Sequence, residues 1–152
     1  MHEVTLRRPT RLSAEGLGGQ VASLRHEVRI SAPAETVWSV VTHPESIPEW
    51  FPGIESCTVN GNIRIIKTRA GMEMAEEILT NDPLLHRFVY RITSSLYKFH
   101  LGTIDVIELG ENDSLCVYST TAEPDVLALI IAGGTKDALV EIKRLAEESI
   151  KE

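Results

Sequence analysis

Apolar and polar positions alternate through much of the chain, in short runs separated by turn residues. This period of two predicts strands. Residues 21–31 alternate in this way and predict a first strand. Ser31-Ala32-Pro33-Ala34-Glu35 then predicts a helix start, with Ser31 placed to cap, Pro33 in the first turn and Glu35 favouring the dipole. Val37, Trp38, Val40 and Val41 give that short helix an apolar face. It should end near His43-Pro44, because a residue before proline avoids the helical region. A second short helix or turn is expected over residues 45–51, closed by Pro52-Gly53.

From there the pattern predicts a meander. Residues 54–59 meet residues 62–68 across Asn60-Gly61, a strong hairpin signal. Further strands are expected over residues 72–80, 85–93, 97–109 and 114–122, which makes seven with the first. Residues 126–150 carry a helical stripe of Leu127, Ile131, Gly134, Ala138, Ile142 and Leu145. Gly133-Gly134 interrupts it, at about 1 kcal/mol per glycine relative to alanine. Close packing on the sheet accounts for the pair, or a kink at a ligand entrance.

This order of elements predicts an α+β fold. A seven-stranded curved antiparallel sheet wraps around a long C-terminal helix, with two short helices after the first strand. A sheet of that size twists and curls. One helix does not fill its concave side, and the remaining space is walled by apolar side chains. That is the physical reason to expect a small hydrophobic ligand.

Composition narrows the picture. The chain has 152 residues, 43% of them hydrophobic, which fits one globular domain over residues 21–152. Residues 1–20 read as a lead-in with net charge +1, leaving −8 on the rest. The readings open for it are a partly ordered segment, a basic arm that contacts a membrane or partner, and a short strand at residues 3–6. A net charge of −7 argues against nucleic-acid binding. The longest apolar run is about half the ~20 residues that span a bilayer, so stable membrane insertion is not expected. The first 20 residues lack a secretory apolar core, and Cys57 and Cys116 read as reduced core residues; the expected location is cytoplasmic.

The segment SAPAETVWSVVTHPESIPEWFPGI, the strands GMEMAEEIL and RFVYRI, and the ending LVEIKRLAEE resemble the START-like, or SRPBCC, superfamily of helix-grip proteins. The similar branch is the one labelled polyketide cyclase/dehydrase-like. The resemblance runs from about residue 24 to residue 150 and rests on the order of short motifs. Trp50-Phe51-Pro52 is the form that the family's Trp-x-Pro takes here. Members share a fold and range over lipid carriers, hormone receptors, allergens and cyclases, so the resemblance implies a pocket without fixing a function.

Glu76 is the carboxylate of greatest interest. It has the parity of Met72, Met74 and Ile78, so it faces inward if they do, and the family often has Glu at the matching place. The alternative register turns Glu73 and Glu77 inward. A buried carboxylate needs a partner or a raised pKa. Pairing with an Arg or Tyr and contact with a ligand both remain open for Glu76. Tyr90 and Tyr118 read as core residues or ligand contacts. Trp38 plugs one end of the cavity or the core, and Trp50-Phe51 is a loop-side aromatic pair near an entrance. His100 and Asp105 fall on opposite faces of a strand, which argues against an acid–base pair.

The expected ligand-binding set is therefore Trp38, Phe51, Met74, Glu76, Tyr90, Tyr118 and Ile131. No cofactor or metal is expected. The expected function is binding or transport of a small hydrophobic molecule, a lipid, isoprenoid or polyketide-like compound, by a monomer or homodimer. One alternative is a cyclase- or dehydratase-like enzyme in the same pocket, with Glu76 catalytic. Another is an interaction protein whose pocket its own side chains fill.

Overall fold

The computed structural model describes residues 20–152. The readings of the lead-in lie outside the described residues, apart from its last position. Seven antiparallel strands form one sheet: β1 (Ala22–Ile30), β2 (Ile54–Asn60), β3 (Ile63–Thr68), β4 (Glu73–Asp82), β5 (Arg87–Ile92), β6 (Phe99–Gly110) and β7 (Asp113–Glu123). Their spatial order is β1-β7-β6-β5-β4-β3-β2, so the first strand closes the meander beside the last. Between β1 and β2 lie α1 (Ala34–Val41), a turn of 3₁₀ helix (Pro44–Ser46) and α2 (Ile47–Trp50); α3 (Asp125–Ser149) ends the chain. This is the curved sheet and long C-terminal helix that the pattern predicts. Among the described residues, no helix is long and apolar enough to cross a membrane.

Three local expectations are corrected. Ser31 does not cap α1. Pro33 stands at the N-cap with extended backbone, and the Ser31 N–H donates instead to Glu147 Oε1 of α3 at 3.0 Å. Ser31 precedes the helix by too many residues to reach its first free N–H groups. The β2–β3 turn is Gly61-Asn62 rather than Asn60-Gly61. Gly61 takes φ +60°, the first turn position that a type II′ hairpin reserves for glycine. Asn60 is thereby paired with Ile63. The buried face of α3 is rotated from the predicted stripe. Ala128, Ala132, Thr135, Ala138, Leu139, Ile142 and Ala146 are buried, whereas Leu127, Ile131 and Leu145 sit half-buried at its edge. Small side chains let the helix backbone approach β1 and β7, and the larger ones are displaced sideways.

The glycine pair has a packing cause, but the sheet is not the neighbour. A Cβ on Gly134 would stand 2.8 Å from Phe51 Cζ, so the helix is notched to seat the Phe51 ring. Gly133 faces open space, and α3 is continuous through both. The two glycines therefore respond differently to alanine. Gly133→Ala should raise the urea midpoint, corresponding to up to about 1 kcal/mol. Gly134→Ala should gain clearly less, because the Phe51 ring must move; equal gains would show that the notch is not filled.

Candidate functional site

The site is set by register. β3 pairs with β4 so that Arg64 lies opposite Glu76, and β4 pairs with β5 so that Glu76 lies opposite Ile92. Side chains alternate across a strand, so Arg64, Ile66, Met74, Glu76, Tyr90 and Ile92 share the concave face. The parity that places Glu76 beside Met74 and Ile78 holds, but Met72 precedes β4 and is exposed, and the alternative with Glu73 inward does not hold, since Glu73 is exposed.

Ile66, Met74, Glu76, Tyr90 and Ile92, but not Arg64, line a cavity of about 230 Å³. Ile66 and Thr68 of β3, Met74 and Glu76 of β4, and Tyr90 and Ile92 of β5 form its floor. The α2–β2 segment covers it with Ile47, Phe51, Pro52, Gly53 and Ile54, and α3 contributes Ile131. Of the expected ligand-binding residues, Phe51, Met74, Glu76, Tyr90 and Ile131 meet here. Tyr118 lies behind Tyr90, outside the lining. Trp38 is elsewhere: it is buried on α1 and stacks on His86, ring centroids 5.6 Å apart. The aromatic pair divides, for Trp50 is fully buried with its Nε1–H donating to Ser46 Oγ at 3.2 Å, while Phe51 stands at the mouth.

Glu76 is the one charged side chain among the described lining residues, and it is held from behind. Arg64 Nε donates to Glu76 Oε2 at 2.6 Å, and neither side chain is more than 4% exposed. Arg64 Nη1 donates to the Pro44 carbonyl at 3.3 Å. The guanidinium carbon lies 5.3 Å from the centroid of Phe88 and 5.0 Å from that of Tyr90, an arrangement in which ring faces help to hold a desolvated cation. Arg64 Nη2 has no partner among the described residues. Burial raises the Glu76 carboxyl above its ordinary value, against the pull of Arg64. Burial alone would lower Arg64, but Glu76 and the two tyrosines hold it above its ordinary value, so it stays charged. A neutral Glu76 would leave that cation uncompensated in the interior; the pair is therefore ionic.

The tyrosines bond each other. Tyr90 and Tyr118 hydroxyls are 2.7 Å apart, and burial first of all pushes both phenols upward. The Tyr90 hydroxyl is turned to Tyr118, and Tyr90 offers the cavity its ring. The end of that ring lies on Gly102, where a Cβ would overlap it. Neither phenol is poised to act as a base.

Two residues were missed or only half read. Arg64 carries the same parity as Ile66, yet Ile63 and Ile65 compete for the inward face, so alternation alone does not single it out. His100, read from the sequence only as facing away from Asp105, is buried. It accepts the Ile92 N–H at Nδ1 at 3.0 Å, which places its proton on Nε2, and Nε2 has no partner among the described residues. Burial lowers its pKa from 6.5 to about 4. Asp105 pairs with Arg87 on the opposite face, as the five-residue offset requires.

Residues 21–148 match the model of a family described as polyketide cyclase/dehydrase and lipid transport. Among solved structures, the chain is similar to the protein XoxI from Bacillus cereus, with TM-score 0.78 and 23% identity over 86% of this chain and 99% of that one. It is similar to norcoclaurine synthase from Thalictrum flavum in complex with dopamine and hydroxybenzaldehyde, with TM-score 0.68 and 16% identity over 99% and 97% of the two chains. A START superfamily protein from Mycobacterium smegmatis gives TM-score 0.65 and 15% identity over 85% and 97%. At these identities the likeness is one of fold. No curated protein matches the chain.

Two stability measurements follow from this geometry. Glu76→Gln should lower the urea-derived stability at pH 7 by about 3–5 kcal/mol, because it leaves Arg64 buried and unpaired. The joint change Arg64→Met with Glu76→Leu should cost much less; a larger loss in the double variant would refute the ion-pair assignment. For His100, the folded pKa lies below the unfolded one, so its contribution is full above pH 6.5 and is lost as pH falls toward 4. His100→Asn retains an acceptor for the Ile92 N–H and does not titrate. The acid loss of stability across that window should shrink by about 3 kcal/mol in this variant, and an unchanged pH profile would contradict the assignment.

Proposed function

Because the chain belongs to the polyketide cyclase/dehydrase and lipid transport family, we propose that it binds a small hydrophobic molecule, a lipid, isoprenoid or polyketide-like compound, in the cavity between β3–β5 and the α2–β2 segment. The observation that carries this reading is the cavity itself: about 230 Å³, walled by Ile47, Ile54, Ile66, Met74, Ile92 and Ile131, with one carboxylate in the wall. Such a space, apolar with a single convergent polar group, is the usual form of a small-molecule site. Burial of the ligand's apolar surface supplies most of the affinity, at about 25 cal/mol per Å² gross. Glu76 supplies the orienting contact, and the ring of Tyr90 supplies part of the wall. An interaction protein with a filled interior fits less well, since the chain's own side chains leave this volume open. Free thiols at Cys57 and Cys116 suit a reducing compartment, and we place the protein in the cytoplasm.

A second reading has one specific support. Glu76 is a carboxyl raised by burial in an apolar wall, the condition in which such a group serves as an acid or base. A cyclase- or dehydratase-like step would then use the same cavity. Its binding to Arg64 weighs against this, because an ion-paired carboxylate is a poor base.

The test is extraction of the purified protein followed by mass spectrometry, with Ile131→Trp in parallel. The wild type should release an apolar small molecule, or take up an apolar fluorescent probe after extraction. Ile131→Trp should lose either property by at least tenfold while keeping its folded circular dichroism spectrum. A wild type that carries nothing and takes up no probe overturns the binding reading. Conversion of the bound molecule that disappears in Glu76→Gln, under conditions where that variant keeps its folded circular dichroism spectrum and still binds the molecule, would establish the enzyme.

A further inference from the structure

Glu76 presents only half of its carboxylate to Arg64. Nε of Arg64 bonds Oε2, and Oε1 has no hydrogen-bond partner among the described residues, while Glu76 lines the cavity. An ionised carboxylate accepts and does not donate. The other polar side chains in the lining are hydroxyls: Thr68 accepts the Met72 N–H at 3.1 Å, and Tyr90 bonds Tyr118. Glu76 is the one charged group in the lining, and the charge-assisted contact it offers is that of an acceptor.

Charge balance sharpens the requirement. Arg64 already compensates Glu76, and it stands fully buried behind the carboxylate rather than in the lining. An ammonium ligand would add a second cation to a neutral pair, and a carboxylate ligand would add a second anion directly against Oε1. Either would be desolvated without a counter-charge, which is strongly unfavourable in a protein interior. A neutral hydroxyl donates to Oε1 and brings no charge with it.

Volume sets the size. A dry apolar cavity of ~150 Å³ accommodates one benzene ring. The 230 Å³ here suits one ring with a short chain and is too small for a diacyl lipid or a four-ring polyketide.

We infer that the cavity selects compact, uncharged alcohols or phenols, held by donation of the hydroxyl proton to Glu76 Oε1, over amines, carboxylates and ethers of the same size. This rests on the reading above that the cavity is a binding site. Arg64 acts as a positioning residue, fixing Oε2 so that Oε1 remains turned to the ligand.

The test uses the full chain without substitution and five probes of matched size: phenylpropanol, its methyl ether, phenylpropylamine, phenylpropionate and butylbenzene. Affinities are read at pH 7 by calorimetry, and the site is read from methyl NMR shifts of Met74 and Ile131. Phenylpropanol should bind about tenfold more tightly than its methyl ether, as a hydrogen bond to a charged acceptor allows. The amine and the carboxylate should bind at least tenfold more weakly than the alcohol. Butylbenzene should bind and shift the same methyls, which reports on the cavity alone. If butylbenzene and the ether bind but the alcohol gains nothing over the ether, or if the carboxylate or amine binds as well as the alcohol, the selectivity is overturned and the cavity stands. If none of the five shifts Met74 or Ile131, the binding-site reading falls and the selectivity falls with it.

Discussion

The ion pair between Arg64 and Glu76 is the constraint on which the concave face depends. Two charges have been taken from water into a wall of isoleucines and aromatic rings, a cost that only close mutual geometry offsets. That geometry requires one register between β3 and β4. A slip of one residue would put Arg64 and Glu76 on opposite faces and leave one of them buried without its partner, because every side chain of the slipped strand changes face. The Gly61-Asn62 turn fixes β2 against β3, and the buried pair fixes β3 against β4. The same register delivers Ile66, Met74 and Ile92 to the cavity. Specification of the sheet and formation of the site are thus one event.

The remaining packing follows from where the helices lie. α3 covers β1 and β7 with a face of small residues, and so leaves β3–β5 without a helix directly above them. The α2–β2 segment covers that region instead, with the Phe51 ring seated in the notch at Gly134. The cavity sits at this junction, so its lid is a short segment rather than a long helix. Tyr118 underlies the lid, with ring centroids 6.4 Å from both Trp50 and Phe51, and its hydroxyl ties the lid support to Tyr90 in the cavity floor.

Much of this fold was legible in the chain. Period-two alternation and turn residues give seven strands in the order found, and the Pro-flanked start of α1 lies within a few residues of its true place. Glu76 was legible because Met72, Met74 and Ile78 share its parity. Its partner was not, because Arg64 sits between Ile63 and Ile65 and local alternation favours turning the isoleucines inward. Only pairing with β4, a long-range fact, selects the arginine. Trp38 shows the converse limit: a large aromatic on an apolar helix face reads the same whether it lines a pocket or stacks on His86. His100 was underestimated because a lone histidine in a strand carries no sign that its Nδ1 will accept a backbone N–H from Ile92. The buried polar residues hardest to read were those whose partners lie on a different strand.

Whether the concave face truly encloses a ligand-sized apolar space is open to direct measurement. Xenon enters dry apolar cavities and scatters strongly enough to be placed in a crystal. A crystal of this protein under xenon pressure should show the gas among Ile54, Ile66, Met74 and Ile131, beside the undisturbed Arg64–Glu76 pair. Side chains filling that space, with no xenon bound, would contradict the site at its foundation.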